Sequence, residues 1–480
     1  MQNFSLKQIS LLILFSSMLL IYSCAKEDDQ PSVPQEGQKN KNINEWIQSN
    51  MDVVYLWNTR MPSKPDLNLY PSDYFESLLY TAEDRFSFIA EDYAELMDIL
   101  GGVQMEAGYD FALFRKDSIS RDVVGVVNYI KPHSPASLSD LKRGDVFFTV
   151  NNKQLTVDNY QELVGEMGAP HVLGVYRGGK IQPLSLSVTK YEENPILLDT
   201  VYEIGGKKIA YLIYNFFAAD KGDNSYAYLK ELNAVFGKFK QANVNELVLD
   251  LRYDAGGEAE LATSLASMIS GRSSSDLFCI DQYNSIVDKE LKKELGNNYN
   301  KTFFDDRLII RDENGKIIDQ SIPVNKLTGL KRLYVLTSQR TASASELVIN
   351  GLKPYMNVIL IGETTYGKNV GMWFIYEQDP QKQKDNTWGI LPIVFKIYNS
   401  ANKSDYSNGF NPNLEVDEYA ALPLLALGNT HEFLLEAALA HIGVQAPSAL
   451  RSTEKGFPSR PLMSSVDRTP VRKNMIRPQR

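Results

Sequence analysis

Ser343 and Lys368 are the residues whose setting in this chain invites chemistry. Ser343 stands in the small-residue run Thr341-Ala342-Ser343-Ala344-Ser345, where a helix reads from Ala344 to Leu352. Lys368 stands further on, in a Tyr-Gly-Lys turn. A serine hydroxyl is a poor nucleophile unless a base takes its proton. Lysine is such a base only when neutral, which requires burial to bring its pKa from about 10.4 toward 7–8. The apolar residues Ile359, Leu360, Ile361, Tyr366 and Trp373 are placed to supply that desolvation. A helix start at Ser343 adds a positive dipole end and free N–H groups. The amides of Ala344 and of Gly256 or Gly257 are candidates to bind the oxyanion of a tetrahedral intermediate. Glycine suits that place because the backbone must come close to the substrate. On the bland reading, Ser343 is an ordinary N-cap, Lys368 a surface lysine, and Asp250 and Asp254 loop or capping residues.

The elements that must position these residues alternate from 195 to 445. "KKIAYLIYNF", "ELVLDL", "RLYVLT" and "NVILIG" read as buried strands. Between them come a helix with Leu229, Leu232, Phe236 and Phe239 on one face and another aligning Leu261, Leu265, Met268 and Ile269. Such alternation implies an α/β domain with a mostly parallel sheet. Its strand-to-helix loops emerge at one edge, where sites are built. "LRYDAGG", "SQRTASASE" and "ETTYGKNVG" are three such loops. Adjacent parallel strands lie about 4.8 Å apart, so Ser343 and Lys368 can meet.

The rest of the chain divides around this domain, giving a multidomain α+β protein. Residues 42–99 read as a small helical domain, with Trp46, Met51, Val54 and Leu56 at helical spacing and its aromatics filling core. Residues 100–190 turn to short strands. Ser134-Pro135-Ala136, the Leu141-Lys142 to Gly144-Asp145 turn and Asn151-Asn152 follow one another in the order of a PDZ domain, which this segment resembles. Gly108, Tyr109, Asp110 and Phe111 then fall where PDZ domains keep the loop that binds a peptide's C-terminal carboxylate, while the peptide adds a strand to the sheet edge. Residues 1–23 resemble a bacterial lipoprotein signal, with Lys7 before the run "ISLLILFSSMLLIY" and Cys24 as the lipidated residue. Residues 24–41 suit a tether, and the basic tail 446–480 is expected to be disordered. The implied place is the bacterial cell envelope: the outer membrane, held by lipidated Cys24, facing the periplasm or the surface.

With 480 residues, 43% hydrophobic and 23% charged, the chain has ample material for several cores. Its formal net charge of −9 argues against a nucleic-acid partner. Cys279 has no partner once Cys24 is lipidated, so no intramolecular disulfide is expected. The four histidines (His133, His171, His431, His441) show no zinc-ligand spacing, and neither a metal nor another cofactor is expected.

"ELVLDLRYDAGG", "TASASE" and "IGETTYGKNVG", in this order behind a PDZ-like domain, resemble the carboxyl-terminal processing (tail-specific) serine proteases over roughly residues 42–445. The resemblance implies Ser343 as nucleophile, Lys368 as general base, and Gly257 or Gly256 with Ala344 as the oxyanion hole. It implies an endopeptidase whose partners are proteins or peptides with exposed C-termini, held by the PDZ-like domain. Two positions depart from the family pattern. Met372 replaces a glutamine that helps orient the lysine, which leaves Thr365 or Asn369 to do so. Asp254-Ala255 replaces Asn-Pro beside the oxyanion hole. These departures open a second reading, a peptide-binding surface lipoprotein that has lost catalysis. A third is a serine hydrolase acting on non-peptide esters.

Overall fold

A computed structural model describes residues 35–312, 315–444, 454–455, 457, 460–468 and 476–477. The signal segment, Cys24 and most of the tether lie outside these residues. The end of the expected tether is already helical, because one helix runs Gln35–Val54. Its Ile43, Ile47, Met51 and Val54 are buried on one face, the face set by spacings of three and four. This helix and Pro71–Leu78 join the main core of the molecule and do not close a separate one. The strand Phe88–Ala90 pairs with Gly389–Leu391, and Leu56 N donates to Ile393 O. No helix among the described residues is long and apolar enough to cross a membrane.

The central sheet has strands β1 Ile196–Ile204, β2 Lys207–Tyr214, β3 Glu246–Asp250, β4 Arg332–Thr337, β5 Asn357–Gly362 and β6 Leu414–Glu415, side by side in that order. β1 and β2 form an antiparallel hairpin, and each later pairing is parallel. Helices α1 Ala227–Gln241, α2 Ala259–Ser270 and α3 Ala344–Leu352 share a core with Ala210, Leu212, Leu249, Val335 and Leu360. Helix α4 Phe433–Ile442 shares the other, with Ile209, Tyr211, Val248, Leu336 and Ile361. Burial on both faces explains why these strands are unbroken apolar runs. The chain leaving β5 crosses into a second sheet, in which Val370–Trp373 runs antiparallel to Ile393–Asn399. Lys368 sits on that crossing.

Residues 103–192 form a β-rich domain. Strands Tyr109–Arg115, Val123–Ile130, Val146–Val150, His171–Arg177 and Lys180–Leu186 pair antiparallel, and helix Tyr160–Glu166 packs on their apolar side. The residues expected at the carboxylate loop, 108–111, fall at the turn and the start of the first strand. Only Gly108 is at a turn, with φ +84°, whereas Tyr109, Asp110 and Phe111 are buried in the first strand. The two aromatics are strong strand formers that fill this domain's core.

Most of the expected tail, 446–480, lies outside the described residues, but residues 460–468 are described. Met463–Ser464 pairs antiparallel with Tyr109–Arg115, and Val466 is buried. A short apolar pair, Leu462-Met463, suffices where a ready sheet edge templates it.

Candidate active site

β3, β4 and β5 end at one edge, and Thr341 ties their loops together. Its hydroxyl donates to Leu251 O at 2.8 Å, and its carbonyl accepts from Tyr366 N at 2.9 Å. Ser343 follows as the N-cap of α3 with φ +62° and ψ −111°, a backbone conformation that a residue with a Cβ adopts only under constraint. It has no exposed surface, and its Oγ has no hydrogen-bond partner among the described residues.

The constraint is Glu346, one turn into α3 and fully buried. Its Oε2 accepts from Ser343 N at 2.9 Å and from Lys368 N at 2.8 Å. Its Oε1 accepts from Thr365 Oγ1 at 2.5 Å and from Gly367 N at 2.8 Å. One carboxylate therefore holds the backbones of the serine and lysine loops within its own span. Burial raises its pKa, and the four donors oppose that rise.

The Lys368 side chain is completely buried. Desolvation pushes its amine well below the ordinary lysine range, against the pull of Asp84 and Glu346. Its Nζ lies 5.1 Å from the centre of the Phe86 ring and 3.6 Å from Met372 Sδ. The amine thus meets a thioether, a weak acceptor, at the position where the family pattern leads one to expect a glutamine. Neither substitute expected from the sequence takes over, since Thr365 donates to Glu346 and Asn369 Nδ2 donates to Ser404 O at 2.6 Å. Arg85 fixes the turn before the lysine by donating to Gly367 O at 3.0 Å and Ser407 O at 2.8 Å. His171, His431 and His441 bond to partners elsewhere.

The glycine loop closes on the serine. A Cβ on Gly256, at φ +110°, would stand 2.7 Å from Ser343 Cβ and 3.2 Å from Ala344 N. The two glycines differ in what their amides do. Gly256 N donates to Asp254 Oδ1 at 2.8 Å, whereas the Gly257 and Ala344 amides have no partner among the described residues. Asp254 is thereby the cap of its own loop, and its carbonyl also accepts from Ala342 N at 3.2 Å.

Two residues before Ala342, Arg340 reaches out of this loop to the β-rich domain. Its Nη1 and Nη2 donate to Asp110 Oδ1 and Oδ2 at 2.7 and 2.8 Å, so the expected peptide-loop residue is a domain-bridging one. Beside this pair lies a cavity of about 420 Å³, lined among others by Tyr109, Asn215, Tyr253, Ala255 and Val466. Asn215 is 5% exposed, and its side-chain amide has no partner among the described residues.

Two family models match the chain, "Peptidase family S41" over residues 208–416 and "Peptidase S41 N-terminal domain" over residues 42–88. Together they take in just over half of it. The chain belongs to peptidase family S41. It is 26% identical over 306 residues to the carboxy-terminal processing protease CtpA of Bacillus subtilis (strain 168), covering 62% of this chain and 55% of that protein. It is 25% identical over 331 residues to the chloroplastic C-terminal processing peptidase of Tetradesmus obliquus, covering 66% and 60%. The chain thus spans between half and two thirds of the length of these curated relatives. Its fold matches the crystal structure of a protein assigned to the S41 proteases from Bacteroides fragilis NCTC 9343. That match has 28% identity and a TM-score of 0.66, over 87% of this chain and 99% of that one.

The S41 match contains Ser343, Glu346 and Lys368, and the S41 N-terminal match contains Asp84, Arg85 and Phe86. Glu346 was legible as the fourth residue of a Ser-x-x-Glu capping box. Asp84, Phe86 and Asn215 carry no local signal, because only the fold brings them to the site.

Proposed function

We propose that this chain is a serine endopeptidase working through Ser343 and Lys368, cleaving proteins or peptides near their C-termini. The observation that carries the reading is the single Glu346 carboxylate joining the Ser343 and Lys368 amides beside a buried lysine of depressed pKa. Lys368 Nζ takes the Ser343 Oγ proton as Oγ attacks the scissile carbonyl, a contact that forms as substrate enters. The oxyanion is met by the amides of Gly257 and Ala344, since Gly256 is engaged with Asp254. The C–N bond then breaks as the ammonium returns its proton to the leaving amine. Water, giving its proton to the same lysine, hydrolyses the Ser343 ester and restores the hydroxyl. Asn215 supplies one donor and one acceptor to the substrate backbone in the adjoining cavity. The β-rich domain acts as a PDZ-like module for substrate tails, and a lipid on Cys24 holds the enzyme at the cell envelope.

Met372 and Asp254 do not favour the inactive reading, because the sulfur faces the amine without charging it and Asp254 caps its loop. The test is casein hydrolysis by a chain starting after Cys24, beside Ser343→Ala and Lys368→Ala. Cleavage by the first and by neither variant is expected, together with fluorophosphonate labelling that Ser343→Ala abolishes. Undiminished cleavage by Ser343→Ala would sink the assignment.

A further inference from the structure

The strand Tyr109–Arg115 does not offer a bare edge. Residues 462–464 of the chain's own tail are hydrogen-bonded along it, Met463 opposite Leu113 and Ser464 opposite Ala112, with Leu462 N donating to Leu113 O at 2.7 Å. Leu462 and Met463 pack on the apolar cluster that contains Phe111 of the strand and Leu163 and Val164 of the neighbouring helix, with Met167 at its end. The added strand runs antiparallel, so the tail advances toward Gly108. Ser465 then donates its hydroxyl to Asp110, and Asp467 closes a turn by accepting from Ser464 N at 2.7 Å. Val466 and Arg468 line the cavity beside Ala255 and Arg340. Strand addition at an edge, apolar side chains against a helix, and a run toward the turn before the strand are the features of a docked peptide.

We infer that residues 460–468 are a resident ligand of the β-rich domain, and that a substrate's C-terminal segment must displace them to dock there. The inference rests on the reading of this domain as a peptide-binding module. The occupant also touches the serine loop. Asp110, which takes the Ser465 hydroxyl, is the carboxylate that grips Arg340, three residues before Ser343. Tail and substrate therefore compete for one edge, and the winner sets what Asp110 holds.

The test uses a fluorescent synthetic peptide of residues 460–468, added to the chain carrying Ser343→Ala so that binding is read without turnover. Its anisotropy is compared with that on the same chain carrying Met463→Asp or ending at residue 459. Removing the resident segment should tighten probe binding about tenfold or more, as expected when a binding-competent state is freed. Equal affinity for all three forms, or binding to none, overturns the inference. A second measurement needs no tail variant. Saturating probe should raise amide hydrogen exchange at 460–468, and unchanged protection with the probe bound overturns the inference equally. Absence of casein cleavage by the chain with Ser343 intact, with displacement observed, would instead count against the peptidase reading alone.

Discussion

A carboxylate that accepts from four donors tolerates little change, and Glu346 is such a carboxylate. Glu346→Gln keeps its shape but turns an acceptor into a donor facing N–H groups. Each charge-assisted bond lost costs about 1.5–3 kcal/mol. Because the bonds hold Ser343 and Lys368 relative to one another, kcat for casein should fall about 10- to 100-fold. Circular dichroism should show the fold retained, and an unchanged kcat would remove Glu346 from its positioning role. Lys368 makes a prediction with a defined sign. Its folded pKa lies well below its ordinary 10.5, and a base works when neutral. Peptidase activity should therefore rise with pH through the depressed value and level off below 10.5; a rate flat from pH 6 to 10 contradicts a titrating lysine. The same depression makes the unfolded chain bind a proton that the folded chain lacks, so stability also rises with pH across that window. Lys368→Met should be inactive yet more stable than the parent at pH 7, with the gap closing toward pH 10.5 in urea titrations.

At the scale of elements, a segment of the N-terminal layer completes the lysine site. Asp84 accepts from Phe86 N at 3.0 Å and Ser87 N at 2.9 Å, and that turn lays the Phe86 ring over Lys368. Phe86→Ala should admit water to the amine and return its pKa toward the ordinary value. The pH–rate profile should shift to higher pH, which a merely structural loss of stability would not do. The glycine loop is as exacting, since Gly256→Ala adds a Cβ 2.7 Å from Ser343 Cβ at positive φ. About 1–3 kcal/mol of strain is expected, with loss of fluorophosphonate labelling at Ser343. The three loops were readable because each follows an apolar strand run, and the pairing found from β2 to β5 is parallel. The 84–86 turn was not readable. Its aromatic looked like core filling, and its partner lies far along the chain with no shared periodicity. Tyr109–Phe111 is a different case. Motif order points to these positions, and their strand preference and burial set them in the strand that follows the Gly108 turn.

In the whole molecule, Ser343 and Lys368 are shut from solvent while the domains are joined by buried charge. Arg340 and Asp110 have side chains 15% and 5% exposed, and Arg143 donates to Glu418 at 2.7 Å across the same boundary. Such pairs are invisible in sequence because each half sits in a different domain. Their energetics are asymmetric: breaking a buried pair by removing one partner costs about 3–5 kcal/mol, whereas replacing both by apolar groups is often neutral. Asp110→Asn leaves the Arg340 guanidinium buried opposite an amide and also weakens its bonds from Asn128 and Ser465. It should lower the urea midpoint and loosen the serine loop, reducing kcat/KM. Adding Arg340→Met should restore much of the lost stability, since the orphaned charge is gone. Restored activity should not follow, because the bridge that sets the serine loop is still absent. A double-mutant cycle separates these two effects. Strictly additive losses in stability would mean that Arg340 and Asp110 act independently, and the domain bridge would then have no part in holding the site closed.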